Sequence, residues 1–308
     1  YLKDSVLPKS NMPGLENFGN TCFLNSALQL LFSSHIFTEY VKEYETALSH
    51  LHAIISSDDI NRHRDLWKYI RNECPQFADG RQHDSHEILM TLLDICDTLT
   101  KGTRRKCQRK ISFSGLNYDQ ILMESAAKFF EDDLDGTCDH IKRFNGQYRS
   151  SVTCDICCKE RNQWDLYTCL SIYQDIPSVK TYIADFVTTE KINGYDCESC
   201  RKKTAAVKEM EIWSLPDVLI FQVLTKGLKQ LGLTVCITDM TGTPKDYELK
   251  GVCFHEGMSF DSGHYYAAVK TNDVWHLCND TCCIPIDPKK EFPNKIGHAY
   301  ILLYEIGK

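Results

Sequence analysis

The period of the apolar residues changes once along this 308-residue chain, near residue 145, and that change limits the folds open to it. Before it the spacing is helical. Cys22 to Phe32 places Phe23, Ala27, Leu28 and Leu31 on one stripe, and Ser85 to Leu99 does the same with Ile88, Leu89, Leu92, Ile95 and Leu99. Shorter helical patterns lie near Asp65 to Asn72 and Gln120 to Phe130. After it, β-rich runs at Tyr148 to Thr153, Leu166 to Ile172, Val207 to Ile212, Val218 to Val223, Tyr266 to Val269 and Tyr300 to Tyr304 predict strands. Helices first and strands later predict an α+β protein, a helical lobe against an antiparallel sheet lobe.

Composition narrows the function. Hydrophobic residues at 43% and charged residues at 25% exclude a disordered or low-complexity chain. A net charge of −7 argues against a general binder of nucleic acid and leaves room for a basic partner. No run reaches the roughly 18 apolar residues of a membrane span, and Tyr1 to Asn11 shows no secretory signal. The basic run Lys101 to Lys110 reads as a solvated loop. Sixteen cysteines are too few for a disulfide scaffold of this length and point to a metal site, a nucleophile or both. A reducing compartment, cytoplasmic or nuclear, is the expectation.

Two cysteine features follow. Cys154-x-x-Cys157 and Cys197-x-x-Cys200 are flanked by β-type runs, the signature of a closed, structural zinc site with four cysteine ligands, with Cys158 able to replace Cys157. Cys22 falls in the first turn of its helix behind the cap candidates Asn20 and Thr21, where the dipole and free N–H groups lower a thiol pKa. By itself that position favours a packed structural thiol. Far along the chain, Gly263 to Val269 and Val274 to Leu277 predict a β-hairpin around Thr271, Asn272 and Asp273. A three- or four-residue loop would make His264 face Asp280 or Asn279, a base beside its orienter. Cys, His and Asn or Asp together form the arrangement of thiol proteases, in a chain order compatible with a papain-like plan.

The residues that carry this arrangement resemble those of the ubiquitin-specific proteases. Gly14 to Leu31 (GLENFGNTCFLNSALQLL) is similar to that family's Cys box. Tyr247 to Val252, His255-Glu256-Gly257, Ser262 to Ala267, Trp275 and Asn279-Asp280 are similar to its His box, and Gly80 to Leu89 to its acidic helix-start motif. The resemblance runs from about residue 14 to 304. It implies a papain-like cysteine protease fold with helical thumb, antiparallel β palm and zinc-binding β fingers. The implied boundaries are an extension at 1–13 and a catalytic domain at 14–306: thumb about 14–110, fingers about 140–215, palm about 111–139 and 216–306.

By matching position, the resemblance implies Cys22 as nucleophile, His264 as general base and then acid, and Asn279 as third member, with Asp280 sharing or replacing it. Asn17 would stabilise the oxyanion. Asp84, Glu87 and Tyr265 would bind the ubiquitin tail, although Asp84-x-x-Glu87 is equally a capping-box pattern. One structural zinc on Cys154, Cys157, Cys197 and Cys200 is implied, and no cofactor for catalysis. The implied activity is hydrolysis after the C-terminal Gly-Gly of ubiquitin by a monomeric catalytic domain. A protease for a ubiquitin-like modifier, a catalytically weak binding module of the same fold, and a zinc-ribbon interaction domain with a merely packed Cys22 are the rivals. Three stretches depart from the family pattern: His276, Cys278 and Leu224-Thr225-Lys226-Gly227. They raise the expectation of altered packing behind His264 and along the substrate channel.

Overall fold

The computed structural model describes residues 13–56, 60–102, 114–242, 244–259 and 262–307. The basic run at 101–110 falls mostly outside them. Helices α1 (Cys22–Ser33), α2 (His35–Glu43), α3 (Ser49–Ile55), α4 (Ile60–Glu73), α5 (Ser85–Thr100), α6 (Tyr118–Asp133) and α7 (Asp139–Lys142) come first. Then follow β1 (Gly146–Cys154), β2 (Glu160–Tyr167), β3 (Cys169–Ile172), α8 (Val179–Ala184), β4 (Val187–Cys197), β5 (Lys202–Ser214), β6 (Val218–Val223) and β7 (Thr234–Thr238). The chain closes with β8 (Pro244–Ser259), β9 (Ser262–Thr271), β10 (Val274–Asn279), β11 (Cys282–Ile286), α9 (Pro288–Lys295) and β12 (Ala299–Ile306). The α+β order predicted from the change of period is present. The run predicted as one strand at Leu166 to Ile172 is broken at Thr168 and feeds two different sheets.

Among the described residues the strands form two sheets. β2-β1-β5-β4 make a four-stranded antiparallel sheet, and the larger sheet runs β11-β10-β9-β8-β12-β6-β3 with β7 beside β8. Its pairs are antiparallel except β3 with β6. One apolar cluster lies between this sheet and the helices, a second on the sheet's other side. A third, of Leu122, Ala126, Trp164 and Trp213, joins α6 to the four-stranded sheet.

All twelve residues of α1 are buried, the polar ones as well as the apolar stripe, so it is a core helix. Its polar side chains survive burial by bonding inward. Ser26 shares a 3.0 Å hydroxyl contact with Ser85 of α5, and Gln29 Nε2 donates to Pro13 O at 2.9 Å. Glu305 of β12, also buried, accepts from the Ser34 hydroxyl and from the N–H of Ile36 at 3.2 Å, placing a carboxylate at the start of α2. Helix α1 is thus enclosed and fixed by its neighbours.

Cys278 and Cys283 face one another across β10 and β11 and are disulfide-paired, one covalent tie in a chain whose cysteine content did not predict any. The two-residue turn at Asp280 and Thr281 is what brings them opposite.

Candidate active site

Cys22 opens α1. Thr21 is the N-cap residue, yet its hydroxyl caps nothing: it accepts from Phe18 N at 2.9 Å and reaches Asn17 Oδ1 at 3.3 Å. Asn20, at φ 59°, donates to Gly80 O. The acceptor for this loop is instead Asn17, whose Oδ1 takes the N–H of Gly19 at 3.1 Å and of Thr21 at 3.0 Å. Neither predicted cap acts as one, because the loop folds around Asn17.

Cys22 is 2% exposed, and α1, which it opens, packs against β9, the strand that carries His264. Burial pushes the thiol pKa up, and the Asp280 charge adds to this, while N–H groups from Tyr265 and the start of α1 pull the other way. The helix end lowers the pKa as expected, but desolvation outweighs it. The resting thiol is therefore neutral and needs a base. Alkylation of Cys22 by chloroacetamide is expected to accelerate as pH rises through and beyond the ordinary thiol range, since only the thiolate reacts. A rate plateau below about pH 8 would reveal a preformed thiolate and refute this.

His264 lies on β9, and its Nε2 is 2.7 Å from Asn279 Oδ1. An amide oxygen only accepts, so Nε2 carries the proton and Nδ1 keeps the lone pair that can take one from a thiol. The hairpin differs from the prediction. Val274 pairs with Thr271, Trp275 with Lys270 and Cys278 with Ala267, so facing numbers sum to 545 and the loop is two residues, Asn272 and Asp273. Both have positive φ, 48° and 61°, as this short hairpin turn demands. Asn279 therefore reaches His264 diagonally rather than straight across, still within range for a same-face pair.

Asp280 does not share His264. Its Oδ2 accepts from Asn17 Nδ2 at 3.0 Å and its Oδ1 from Asn25 Nδ2 at 2.7 Å, while its backbone O accepts from Leu15 N. The geometry separates the two neighbours: Asn279 orients the imidazole and Asp280 orients the Asn17 amide, leaving that amide a second hydrogen toward solvent.

Gln82 was not singled out in the sequence, yet its amide clamps the backbone of Gly263, donating to O at 2.7 Å and accepting from N at 2.8 Å. Gly263 has φ 147°, and a Cβ there would meet Glu256 O at 2.5 Å and His255 Nε2 at 2.6 Å. The loop before α5 thus sets where His264 begins. Only its place inside the Gly80 to Leu89 motif could have flagged it. Gln82→Ala is expected to lower turnover about 10- to 100-fold through misplacement of His264. Thermal unfolding close to wild type alongside unchanged turnover would sink that expectation.

Of the anticipated tail contacts, Asp84 caps α5 by accepting from His86 N at 2.7 Å and also accepts from the Tyr300 hydroxyl at 2.6 Å. Glu87 is exposed one turn on. The Tyr265 side chain is buried against His255, with ring centroids 4.4 Å apart. A cleft of 210 Å³ lies beside them, lined in part by Leu224, Lys226, His255, His298 and Tyr300. The Leu224 to Gly227 departure has a local cause: the Thr225 hydroxyl bonds Asp175, and any side chain at Gly227 would strike the Asp175 carboxylate. His276 and Cys278 are both buried on the face of β10 opposite Leu277 and Asn279, so neither packs behind His264.

At the tip of the four-stranded sheet, Cys154, Cys157, Cys197 and Cys200 bring their sulfurs within 4.8 Å of one another. Cys154 to Cys200 is 3.9 Å and Cys157 to Cys197 is 3.6 Å, close to the roughly 3.8 Å edge of a tetrahedron with Zn–S of about 2.3 Å. The knuckles are alike: Cys158 N donates to Cys154 O and Arg201 N to Cys197 O, and Cys158 and Arg201 both take positive φ. Cys158 is exposed and does not replace Cys157.

A thiol at a helix start, an imidazole held by an amide on the sheet packed against that helix, and a side-chain amide on the loop that enters the helix define a papain-like cysteine hydrolase site. The family model described as ubiquitin carboxyl-terminal hydrolase matches residues 13–304, and the chain belongs to that family. It is 29% identical over 87% of its length to ubiquitin carboxyl-terminal hydrolase 25 of Arabidopsis thaliana. It is 26% identical over 94% of its length to ubiquitin carboxyl-terminal hydrolase 17-like protein B of Mus musculus. The chain spans 44% of the first relative and 63% of the second. In fold it is similar to the SAGA Ubp8/Sgf11/Sus1/Sgf73 DUB module bound to ubiquitin aldehyde, with a TM-score of 0.70 at 20% identity, covering 97% of this chain and 70% of that one.

Proposed function

We propose that the chain is a thiol-dependent deubiquitinase that hydrolyses the isopeptide bond after the C-terminal Gly-Gly of ubiquitin. The observation that carries this is the packing of α1, which Cys22 opens, against β9, which carries the Asn279-held His264. His264 Nδ1 takes the thiol proton as sulfur attacks the carbonyl carbon, then gives that proton to the leaving lysine amine. The free Asn17 amide hydrogen and backbone N–H near Cys22 stabilise the tetrahedral oxyanion. The thioester that remains is cleaved by water with His264 again as base.

The cleft beside His255 and Tyr300 supports entry of an extended tail, and Glu87, exposed on α5, offers a carboxylate to the tail's arginines. Asp84 supports the same cleft indirectly, through Tyr300. The four-thiol cluster fits one structural zinc, which would join β1 to β4 and β5 so that the four-stranded sheet can cradle the body of ubiquitin. Among the described residues no helix is long and apolar enough to cross a membrane. A cytoplasmic or nuclear setting belongs to the same reading.

Ubiquitin and ubiquitin-like modifiers bearing a C-terminal thiol-reactive group test the reading. A covalent adduct with the ubiquitin probe, absent in Cys22→Ala, is expected. An adduct with a different modifier alone would reassign the substrate, and none at all would reject the enzyme.

A further inference from the structure

We propose that Asn25 is a positioning residue for oxyanion stabilisation: it holds Asp280 against α1 so that Asp280 in turn fixes the amide of Asn17. The inference rests on the hydrolase reading and deepens it. Asn25 lies one helical turn beyond Cys22 and is 3% exposed. Its Nδ2 donates to Asp280 Oδ1 at 2.7 Å and lies 3.3 Å from the carbonyls of Leu15 and Glu16. Asp280 passes the constraint on through Oδ2, 3.0 Å from Asn17 Nδ2. One buried amide therefore ties the nucleophile helix, the segment that carries Asn17 and the turn that follows Asn279.

Two costs show that this tie serves more than packing. Asn25 Oδ1 is buried without a hydrogen-bond partner, a loss that an apolar side chain at the same place would not incur. Asp280 also disfavours the Cys22 thiolate, so a carboxylate there works against the nucleophile unless it supplies something else. Orientation of the Asn17 amide is what its two hydrogen bonds supply. Asparagine rather than aspartate at residue 25 follows, because a second carboxylate would stand at hydrogen-bond distance from the first.

Asn25→Asp is nearly isosteric and tests the inference on a ubiquitin C-terminal aminocoumarin amide, with Asn25→Ala and Asn17→Ala alongside. Near neutral pH, Asn25→Asp is expected to lower kcat about 100-fold, the scale of a lost oxyanion donor, with KM little changed. As pH falls, the facing carboxyls share one proton, the new O–H replaces the lost N–H, and the ratio of variant to wild-type kcat rises. The ratio for Asn25→Ala stays flat, and in the Asn17→Ala background neither substitution costs more than about twofold. A flat ratio for Asn25→Asp, or full additivity with Asn17→Ala, would overturn the proposal. The side-chain amide resonance of Asn17, identified by its absence in Asn17→Ala, gives a readout without ubiquitin: it should move in Asn25→Asp and return on acidification. Should the wild type fail to turn over the amide, the hydrolase reading falls, while an unmoved resonance still refutes the positioning role.

Discussion

Cys22→Ala is expected to lower hydrolysis of a ubiquitin C-terminal amide by about a million-fold, to background, because residues acting as one nucleophilic unit lose nearly everything together. No neighbouring thiol can replace it. Cys253, the buried cysteine on the adjacent strand β8, bonds Ser85, and burial pushes its pKa up to about 12. It is neutral at working pH and enclosed. His264→Ala is expected to approach the same floor, since the Cys22 thiol is held above the ordinary range and does not ionise unaided. Combining the two should cost little beyond either alone. Asn279→Ala is expected to cost less, because it removes the orienter and leaves the base. Steady-state turnover with a fluorogenic ubiquitin amide, together with melting curves, checks the series. Substantial turnover in Cys22→Ala would end the assignment.

The second large effect concerns the four thiols. Removing zinc, or replacing Cys197 by Ser, is expected to unfold the tip of the four-stranded sheet, since a structural zinc site in small zinc domains contributes about 10 to 16 kcal/mol of apparent binding free energy that is also folding free energy. Without a cation the four sulfurs repel as they ionise. Bonds from the Thr204 hydroxyl and nearby N–H groups pull Cys154 down to about 6, while the adjoining sulfurs push Cys200 up to about 12. A divalent ion resolves that conflict by stabilising thiolates at all four positions. The larger sheet and Cys22 lie elsewhere, so alkylation of Cys22 should persist after chelation while ubiquitin affinity falls. The checks are metal content by atomic emission, counted against released thiols, and ubiquitin binding before and after chelation. A purified chain with no zinc and four freely titrating thiols at this site would refute it.

Much of the site was legible in the sequence because its parts sit on local patterns. The stripe of α1 put Cys22 at a helix start, the spacing of the two CxxC pairs marked the cluster, and the Ser262 to Asp280 stretch contained both His264 and its amide. Each depends on interactions a few residues long, which periodicity and turn chemistry report directly. Hairpin register was legible only approximately: Thr271 looked like part of the loop, and one residue of loop length moves every facing pair. The two-residue turn changed a direct pair into a diagonal one without separating His264 from Asn279.

The chain's own order of residues determined that helices precede strands, that a thiol begins a helix, and that four cysteines can close on one ion. Only the tertiary structure decided that Asp280 serves Asn17 and Asn25 instead of His264, that Gln82 holds Gly263, and that the Cys22 thiol rests neutral. Those outcomes come from desolvation and from contacts between residues more than 180 positions apart, as Asn17 is from Asp280 and Gln82 is from Gly263. A free energy set by what surrounds a group has no counterpart in the spacing of its neighbours along the chain.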